Sequence, residues 1–203
     1  MTLPQVTSID VRPVVLDGQT IRLEPLSLDH VAAMAKLLRP ELFRFFGGIT
    51  VKEPGVEAVT EYVTARLKLA NTVSLAMVLK ETREAVGHSS YMNIRPNDRV
   101  LEIGSTWIGQ PYQGTKVNPE AKLLMIQHAF ETLGCVRVEF KTDERNLQSR
   151  HAMEKLGLIQ EGIMRKHLIN SDGYIRNSVF YSVIDEEWPA MKAQLVQRLA
   201  AEK

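Results

Sequence analysis

The stretch Trp107-Ile-Gly-Gln-Pro-Tyr-Gln-Gly-Thr-Lys-Val-Asn-Pro-Glu-Ala-Lys122 decides the prediction of the fold. An apolar strand pattern ends there, and a polar loop leads into an apolar helix pattern. A helix start presents backbone N–H groups without partners and the positive end of the helix dipole, which together bind anions. Gly114 lets the backbone approach a phosphate closely. A helix cap at Asn118, Pro119 and Glu120 explains the same residues without any ligand, so the stretch alone leaves both interpretations open.

Two neighbouring segments favour the anion site. Leu101-Glu-Ile-Gly-Ser-Thr-Trp107 forms the strand that enters the loop, and Thr142-Asp-Glu-Arg-Asn-Leu-Gln-Ser-Arg-His-Ala-Met-Glu-Lys-Leu-Gly157 follows another strand and forms a short helix. In this order and at these spacings, the three segments resemble the core of the GNAT acetyltransferases. They look most like the Rim-type branch, the ribosomal-protein N-terminal acetyltransferases. The resemblance covers roughly residues 20–189 and is sharpest over residues 102–157.

The rest of the chain alternates strand and helix patterns. The predicted order is a strand, two helices, three strands, a helix, a strand, a helix, two strands and a helix. A strand–helix–strand unit within a meander implies an α+β fold with a mixed, mostly antiparallel sheet flanked by helices. The GNAT resemblance implies that the central strands splay apart to bind acyl-coenzyme A. We expect a single acetyltransferase domain over residues 1–203, with its core at about 20–189 and a C-terminal helix at about 186–200.

The composition argues against several classes of function. Lys plus Arg total 25 and Asp plus Glu total 24, so the chain lacks the basic excess that is typical of nucleic-acid binders. No segment approaches the ~18 apolar residues of a membrane helix, and the first residues lack a signal-peptide pattern. The single cysteine, Cys135, excludes an intrachain disulfide, and no His/Cys spacing resembles a zinc site. We therefore expect a cytoplasmic protein with no metal and with no nucleic-acid or membrane partner.

The resemblance assigns the residues that bind acetyl-coenzyme A. The family's pyrophosphate loop has the form Gln/Arg-x-x-Gly-x-Gly/Ala. Gln113, Gly114 and Thr115 match the form found in the Rim-type branch. Pro111 stands where the longer form has Gln or Arg, and Lys116 stands at the second glycine position, so the detailed loop geometry differs from the family pattern. The pyrophosphate contacts implied by the resemblance involve Gln113, Gly114, Thr115, Lys116, Val117 and Asn118.

Other cofactor contacts are implied on both sides of this loop. Trp107 and Ile108 fall where the family's strand pairs with the pantetheine arm. Asn146 and Ser149 match the polar positions that flank the cofactor on the following helix, although Asn146 is equally suited to cap that helix. Met153 stands where many GNAT enzymes have a tyrosine that protonates the leaving thiolate, and the Rim-type branch commonly lacks that tyrosine too.

Acyl transfer to an amine needs an oxyanion donor and a base. The resemblance places a backbone N–H from the Trp107–Ile108 region near the carbonyl oxygen. Glu102 is the first candidate for the base because it lies on the strand that leads toward the acetyl end, and His88 is the second. The alternative interpretations are a solvated strand residue for Glu102 and a hydrogen-bonded structural histidine for His88. The basic cluster Arg165-Lys166-His167 is expected to be a solvated face of a hairpin.

The leading hypothesis is an N-acetyltransferase that moves an acetyl group from acetyl-coenzyme A to a primary amine, foremost a protein N-terminal α-amine, by direct attack in a ternary complex. One alternative is an acetyltransferase for small-molecule amines or antibiotics. Another is a non-catalytic module that binds acyl-coenzyme A, which the residues Lys116 and Met153 keep open. The C-terminal strands and helix are compatible with a homodimer. No motif in the sequence identifies the acceptor.

Overall fold

The computed structural model of the protein describes residues 3–170 and 172–201. Eight strands and five α-helices lie within these residues. The strands are β1 (Leu16–Asp17), β2 (Ile21–Pro25), β3 (Thr72–Leu79), β4 (Ala85–Arg95), β5 (Val100–Ile108), β6 (Arg137–Asp143), β7 (Ile159–Ile169) and β8 (Ile175–Ile184). The helices are α1 (Val31–Leu37), α2 (Val56–Leu67), α3 (Val117–Gln127), α4 (Leu147–Leu156) and α5 (Trp188–Ala201).

All eight strands form one sheet in the order β1-β2-β3-β4-β5-β6-β8-β7. Every neighbouring pair is antiparallel except β5 and β6, which run parallel because α3 connects them by a crossover. The α+β fold with a mixed, mostly antiparallel sheet is therefore confirmed. The predicted order of elements is found as well, and β1 is the one strand that the hydrophobic pattern did not indicate, because it is only two residues long.

Helices pack against both faces of the sheet. On one face, α3 and α5 enclose the larger apolar core, in which the rings of Phe130 and Trp188 stack 5.8 Å apart against strand residues such as Ile103. On the other face, α1 and α2 cover β3, β4 and β5 with a second core that includes Met34 and Val63. We call these the α3 face and the α2 face of the sheet. None of the helices in the described residues is long and apolar enough to span a bilayer.

A β-bulge interrupts β5 halfway along its length. His88 pairs with Trp107, but Ser90 pairs with Gly104, so β5 has one more residue than β4 over this interval. Ser105 has φ +48°, in the left-handed region that residues other than glycine and asparagine seldom adopt. Such a bulge bends the strand and re-aims the side chains that follow it.

At the bulge, Ser105 and Thr106 place their hydroxyl groups on opposite faces of the sheet. The Ser105 hydroxyl meets Arg66 of α2, whereas the Thr106 hydroxyl meets Lys122 of α3. Simple strand alternation from Glu102 predicts Glu102 and Thr106 on the same face, and for Thr106 this expectation is wrong because the extra residue at the bulge changes the alternation.

β5 and β6 separate just before the bulge. Their parallel ladder has three pairs and ends with Glu102 opposite Glu139. From there β5 remains paired with β4 as far as Ile108, and β6 remains paired with β8 as far as Asp143, so the two central strands diverge. The sheet thus has a V-shaped opening with its vertex at Glu102 and Glu139. The implied splay of the central strands is confirmed.

Candidate functional site

The loop between β5 and α3 lies at the wide end of the V. Gly114 has φ +74°, and a Cβ added there would meet no atom within 4 Å, so the backbone at this point is open to an incoming group. Among the described residues, the N–H groups of Gly114, Thr115, Lys116 and Asn118 have no intramolecular acceptor. Four free donors that precede or open a helix form a site for an anion.

The helix cap suggested by Asn118, Pro119 and Glu120 is wrong. Helix α3 begins at Val117, so Pro119 is its third residue, where a proline is still tolerated. Glu120 does not serve the helix end. Its buried carboxylate accepts hydrogen bonds from the backbone N–H groups of the turn between β1 and β2, namely those of Gln19, Thr20 and Ile21. A buried carboxylate is stable here because charge-assisted hydrogen bonds replace its water.

The side chains of the loop mainly hold its shape. Gln113 donates from Nε2 to the carbonyl oxygen of Ile108 at 3.0 Å, and its Oε1 accepts from Nε2 of Gln148 on α4 at 3.3 Å. Thr115 donates from its hydroxyl to the Tyr112 carbonyl oxygen at 2.7 Å. The roles of Gln113 and Thr115 in phosphate binding stay predictions, and they rest on the backbone rather than on these side chains.

Helix α4 begins on the opposite wall of the V, after β6. Asn146 is its N-cap, and its Oδ1 accepts from the backbone N–H of Ser149 at 3.1 Å. The capping role that the sequence allowed for Asn146 is thus present, and the contact of Asn146 and Ser149 with a cofactor remains a prediction. The Gln113–Gln148 hydrogen bond links the loop before α3 to the first turn of α4 across the wide end of the V.

Glu102 lies at the vertex of the V, on the α2 face. Its side chain is buried, and its Oε2 accepts from Nζ of Lys141 on β6 and from Nδ2 of Asn93 on β4, both at 2.7 Å. The interpretation of Glu102 as a solvated strand residue is therefore wrong. Glu102 thus forms a buried ion pair with Lys141 at the vertex of the V.

Next to Lys141 on the α2 face lie side chains of β8 and β7. Lys141 lies opposite Phe180 in the β6–β8 ladder, and the His167 ring packs 5.2 Å from the Phe180 ring. His167 Nδ1 lies 2.9 Å from the Ser178 hydroxyl. Burial and then the charge of Lys141 lower the pKa of His167, so its imidazole is neutral near pH 7. The expected solvated cluster thus holds for Arg165 and Lys166, which are exposed, but His167 turns inward.

His88, the second candidate base, is fully buried on the α2 face. Its Nε2 lies 2.6 Å from the Tyr62 hydroxyl, and its ring packs between those of Tyr62 and Trp107 at 5.6 Å and 5.9 Å. Burial and the nearby charges of Arg66 and Lys122 hold its pKa well below the usual range. These contacts favour the structural histidine over the base. Trp107 likewise buries its side chain in this core, so it faces the V with its backbone alone.

Comparison with known proteins identifies the fold. A profile of the acetyltransferase (GNAT) domain matches residues 20–159. The chain belongs to the GNAT acetyltransferase family. It is therefore an N-acetyltransferase by family, and GNAT acetyltransferases use acetyl-coenzyme A as the acetyl donor. Within the described residues, no cluster of three or more His, Cys, Asp or Glu side chains is arranged to hold a metal ion.

The relatives of this GNAT protein include bacterial proteins of known sequence and structure. This chain is 32% identical over 106 residues to YdaF of Bacillus subtilis (strain 168), which is provisionally named a ribosomal N-acetyltransferase. The match covers 52% of this chain and only 57% of YdaF. A crystal structure from T. thermophilus, provisionally named an acetyltransferase, superposes with a TM-score of 0.87 and 38% identity over 94% of this chain and 100% of that one. Mycobacterium smegmatis RimJ, solved with CoA-disulfide, has the same fold at a TM-score of 0.77 and 19% identity, over 92% and 95% of the two chains.

Proposed function

We propose that this GNAT enzyme acetylates the α-amino group of a protein or peptide N-terminus by direct attack in a ternary complex. The observation that carries the proposal is the V between β5 and β6, which has free backbone donors at its wide end and the carboxylate of Glu102 at its vertex. An anionic donor molecule and a cationic amine would therefore meet along one strand edge. The name of the relative YdaF, a ribosomal N-acetyltransferase, supports a protein N-terminus as the acceptor.

The described residues fit acetyl-coenzyme A, which supplies an activated thioester carbonyl. The N–H groups of Gly114, Thr115, Lys116 and Asn118 would hold the pyrophosphate, and the positive end of α3 would add to the attraction. The N–H of Gly109 donates to the Val86 carbonyl of β4.

Strand alternation turns the adjacent N–H, that of Ile108, to the opposite edge of β5, which faces the V. It is available there to the pantetheine arm or to the carbonyl oxygen. Because the wide end takes the phosphates, the acyl end would lie farther along β5, near the bulge and the vertex.

Glu102 would accept the proton of the attacking amine, directly or through one water molecule. Lys141 and Asn93 both bind its Oε2, which fixes the carboxylate and leaves Oε1 for the amine. A positioned base of this kind contributes typically ~10²–10⁴-fold to the rate. An α-amine has a pKa near ~7.7–8.0, so it needs less help than a lysine side chain does. Lys141 would act as the positioning residue that holds Glu102.

The enzyme would release coenzyme A without the usual tyrosine, since Met153 stands in its place. An alkyl thiol has a pKa near ~8.5, so its conjugate base is an acceptable leaving group.

A turnover screen tests the proposed acceptor. Release of free thiol from acetyl-coenzyme A would be followed with three sets of acceptors: peptides with free N-termini, the same peptides with blocked N-termini and an internal lysine, and small amines such as polyamines and aminoglycosides. We expect turnover with the first set, confirmed by mass spectrometry of the modified α-amine. Turnover confined to the small amines would contradict the proposal, and absence of thiol release with every acceptor would indicate a binding module.

A further inference from the structure

Two cations hold the bulge of β5 from opposite faces. Arg66 of α2 donates from Nη1 to the Ser105 hydroxyl at 3.1 Å, and Lys122 of α3 donates from Nζ to the Thr106 hydroxyl at 2.7 Å. The two side chains belong to buried residues, with exposed fractions of 6% each. The bulge thus lies between two positive charges that enter from different layers of the molecule.

Neither cation has an anionic partner. The further partners of Arg66 are the hydroxyls of Ser90 at 2.8 Å and Ser74 at 3.4 Å, and Lys122 also donates to the hydroxyl of Ser89 at 3.0 Å. Within residues 3–170 and 172–201, no carboxylate lies within ion-pair distance of either group, and the Nε of Arg66 has no hydrogen-bond partner. Hydroxyl groups satisfy the hydrogen bonds but leave both charges uncompensated.

The acidic residues of α3 and β5 are committed elsewhere. Glu120, two residues before Lys122, is bound to the turn between β1 and β2, and Glu102 is paired with Lys141. An uncompensated charge inside a protein is unfavourable, and burial accordingly lowers the pKa of Lys122 to about 7. An apolar side chain would suit this position better, since α3 is otherwise rich in buried apolar residues. Retention of two such charges at one bulge therefore suggests a role in the reaction rather than in folding.

We propose that Arg66 and Lys122 are positioning residues whose charges create a positive electrostatic potential at the bulge, and that this potential stabilises the negative charge that develops on the thioester during acyl transfer. The inference rests on the proposed function, because it requires the acyl end to lie beside the bulge. In the reaction, the C–N bond to the amine forms, the C–S bond breaks, and sulfur keeps the electron pair while the amine proton goes to the base. The two cations would thus stabilise the leaving thiolate, which many other GNAT enzymes protonate with a tyrosine at the position of Met153.

The test measures the thiol of bound coenzyme A, which needs no acceptor. Coenzyme A would be titrated in its binary complex with the protein by thiolate absorbance in the ultraviolet. We expect the bound thiol of the wild type to titrate below its ordinary pKa of ~8.5. In Arg66→Met, the midpoint should rise by about one pH unit, because one flanking charge is gone. In Lys122→Met the rise should be smaller, because the pKa of Lys122 is about 7 and its amine is mostly neutral where the thiol titrates. Lys68→Met, which removes an exposed charge just beyond α2, is the matched control and should leave the midpoint unchanged.

Steady-state kinetics give a second readout. At about pH 6, where Lys122 is protonated, loss of either charge should lower kcat by about tenfold to a hundredfold. KM for acetyl-coenzyme A should change by less than about threefold, since the charges act on the transition state rather than on binding. Arg66→Lys keeps a charge and should restore most of the lost rate. Lys122→Gln keeps a hydrogen-bond donor but no charge, so it should behave like Lys122→Met, and it serves as the test if the Met variant does not fold.

The outcomes separate the possible failures. A bound thiol that titrates alike in the wild type and in folded Lys122→Met and Arg66→Met would overturn the electrostatic role, whichever amine is the acceptor. Full activity of Lys122→Gln would also overturn it, because the hydrogen bond and not the charge would then be what matters. A raised thiol midpoint in both variants, found with an enzyme that acetylates only small amines, would support this inference and contradict the proposed acceptor.

Discussion

Replacing Lys122 with Met should stabilise the protein in a pH-dependent way. Burial holds the pKa of Lys122 at about 7, against 10.5 for an ordinary lysine. At about 1.36 kcal/mol for each pH unit, this difference corresponds to at most about 5 kcal/mol. That energy is the cost of carrying the proton in the folded protein, and it applies in full below pH 7, where both the folded and the unfolded chain are protonated.

The sign of the pH dependence follows from proton linkage. Between pH 7 and about 10.5 the unfolded chain binds more protons than the folded chain, so the wild type gains stability as the pH rises through this window. Lys122→Met has no such group and lacks this gain. The variant loses the hydrogen bonds of the ammonium group, worth roughly 1.5–3 kcal/mol. The hydroxyls of Ser89 and Thr106 stay paired because they already lie 2.7 Å apart.

The assay is urea denaturation of both proteins at several values between pH 6 and pH 10. We expect the variant to be more stable than the wild type by about 1–3 kcal/mol at pH 6, with the advantage shrinking steadily and reversing by pH 10. The slope is the decisive quantity, since loss of hydrogen bonds or a change in packing shifts all pH values alike. A stability difference that stays constant from pH 6 to pH 10 would refute the inference that Lys122 is a buried, uncompensated amine.

Three further variants test the site. Glu102→Gln should cut turnover by about 10²-fold, the lower part of the range for a positioned base, and should remove the acidic limb of the pH–rate profile while coenzyme A affinity stays unchanged. Glu139→Gln, whose position lies opposite Glu102 in the ladder, is the control. Wild-type rates of Glu102→Gln across the whole profile would contradict its assignment as the base. Gly114→Val should strongly weaken coenzyme A binding, measured by calorimetry, because φ +74° strains a β-branched residue in the phosphate loop. Unchanged affinity in a folded variant would show that the phosphate site lies elsewhere. Lys116→Gly should lose only about 0–1 kcal/mol of affinity, in a salt-sensitive way, and a hundredfold loss would mean that Lys116 does more than attract phosphate.

The sequence predicted the elements well where the local pattern determines them. The bounds of β5, Val100–Ile108, agree to the residue, because alternation and the flanking turn define the strand locally. The splay of β5 and β6 came only from the family resemblance, since no local pattern records where two distant parallel strands separate. The bulge at Ser105 likewise has no local signal, because a serine in a strand pattern gives no sign of a positive φ.

Partners that come from distant segments could not be predicted from the sequence. Glu102 on β5 binds Lys141 on β6, and the register of these two parallel strands depends on the crossover between them. The sequence of β5 alone therefore left open that Glu102 is a solvated residue of an alternating strand. Lys122 escaped notice for a related reason. A lysine in the second turn of a helix normally faces water, and only the position of α3 over the bulge directs it inward. Its place in a helix rich in apolar residues was the one available signal.

The carboxylate of Glu120 links two positions that are far apart in the chain. A Cβ at Gly18 would lie 2.6 Å from Oε1 of Glu120 and 2.9 Å from the backbone carbonyl oxygen of Ile21. The second contact is with the backbone, so position 18 should stay glycine among descendants of this gene whatever residue stands at position 120. Chimeras that join the first strands of one homologue to the acetyltransferase core of another will need a glutamate at position 120 from the core, because the N–H groups of the turn would otherwise lose their acceptor.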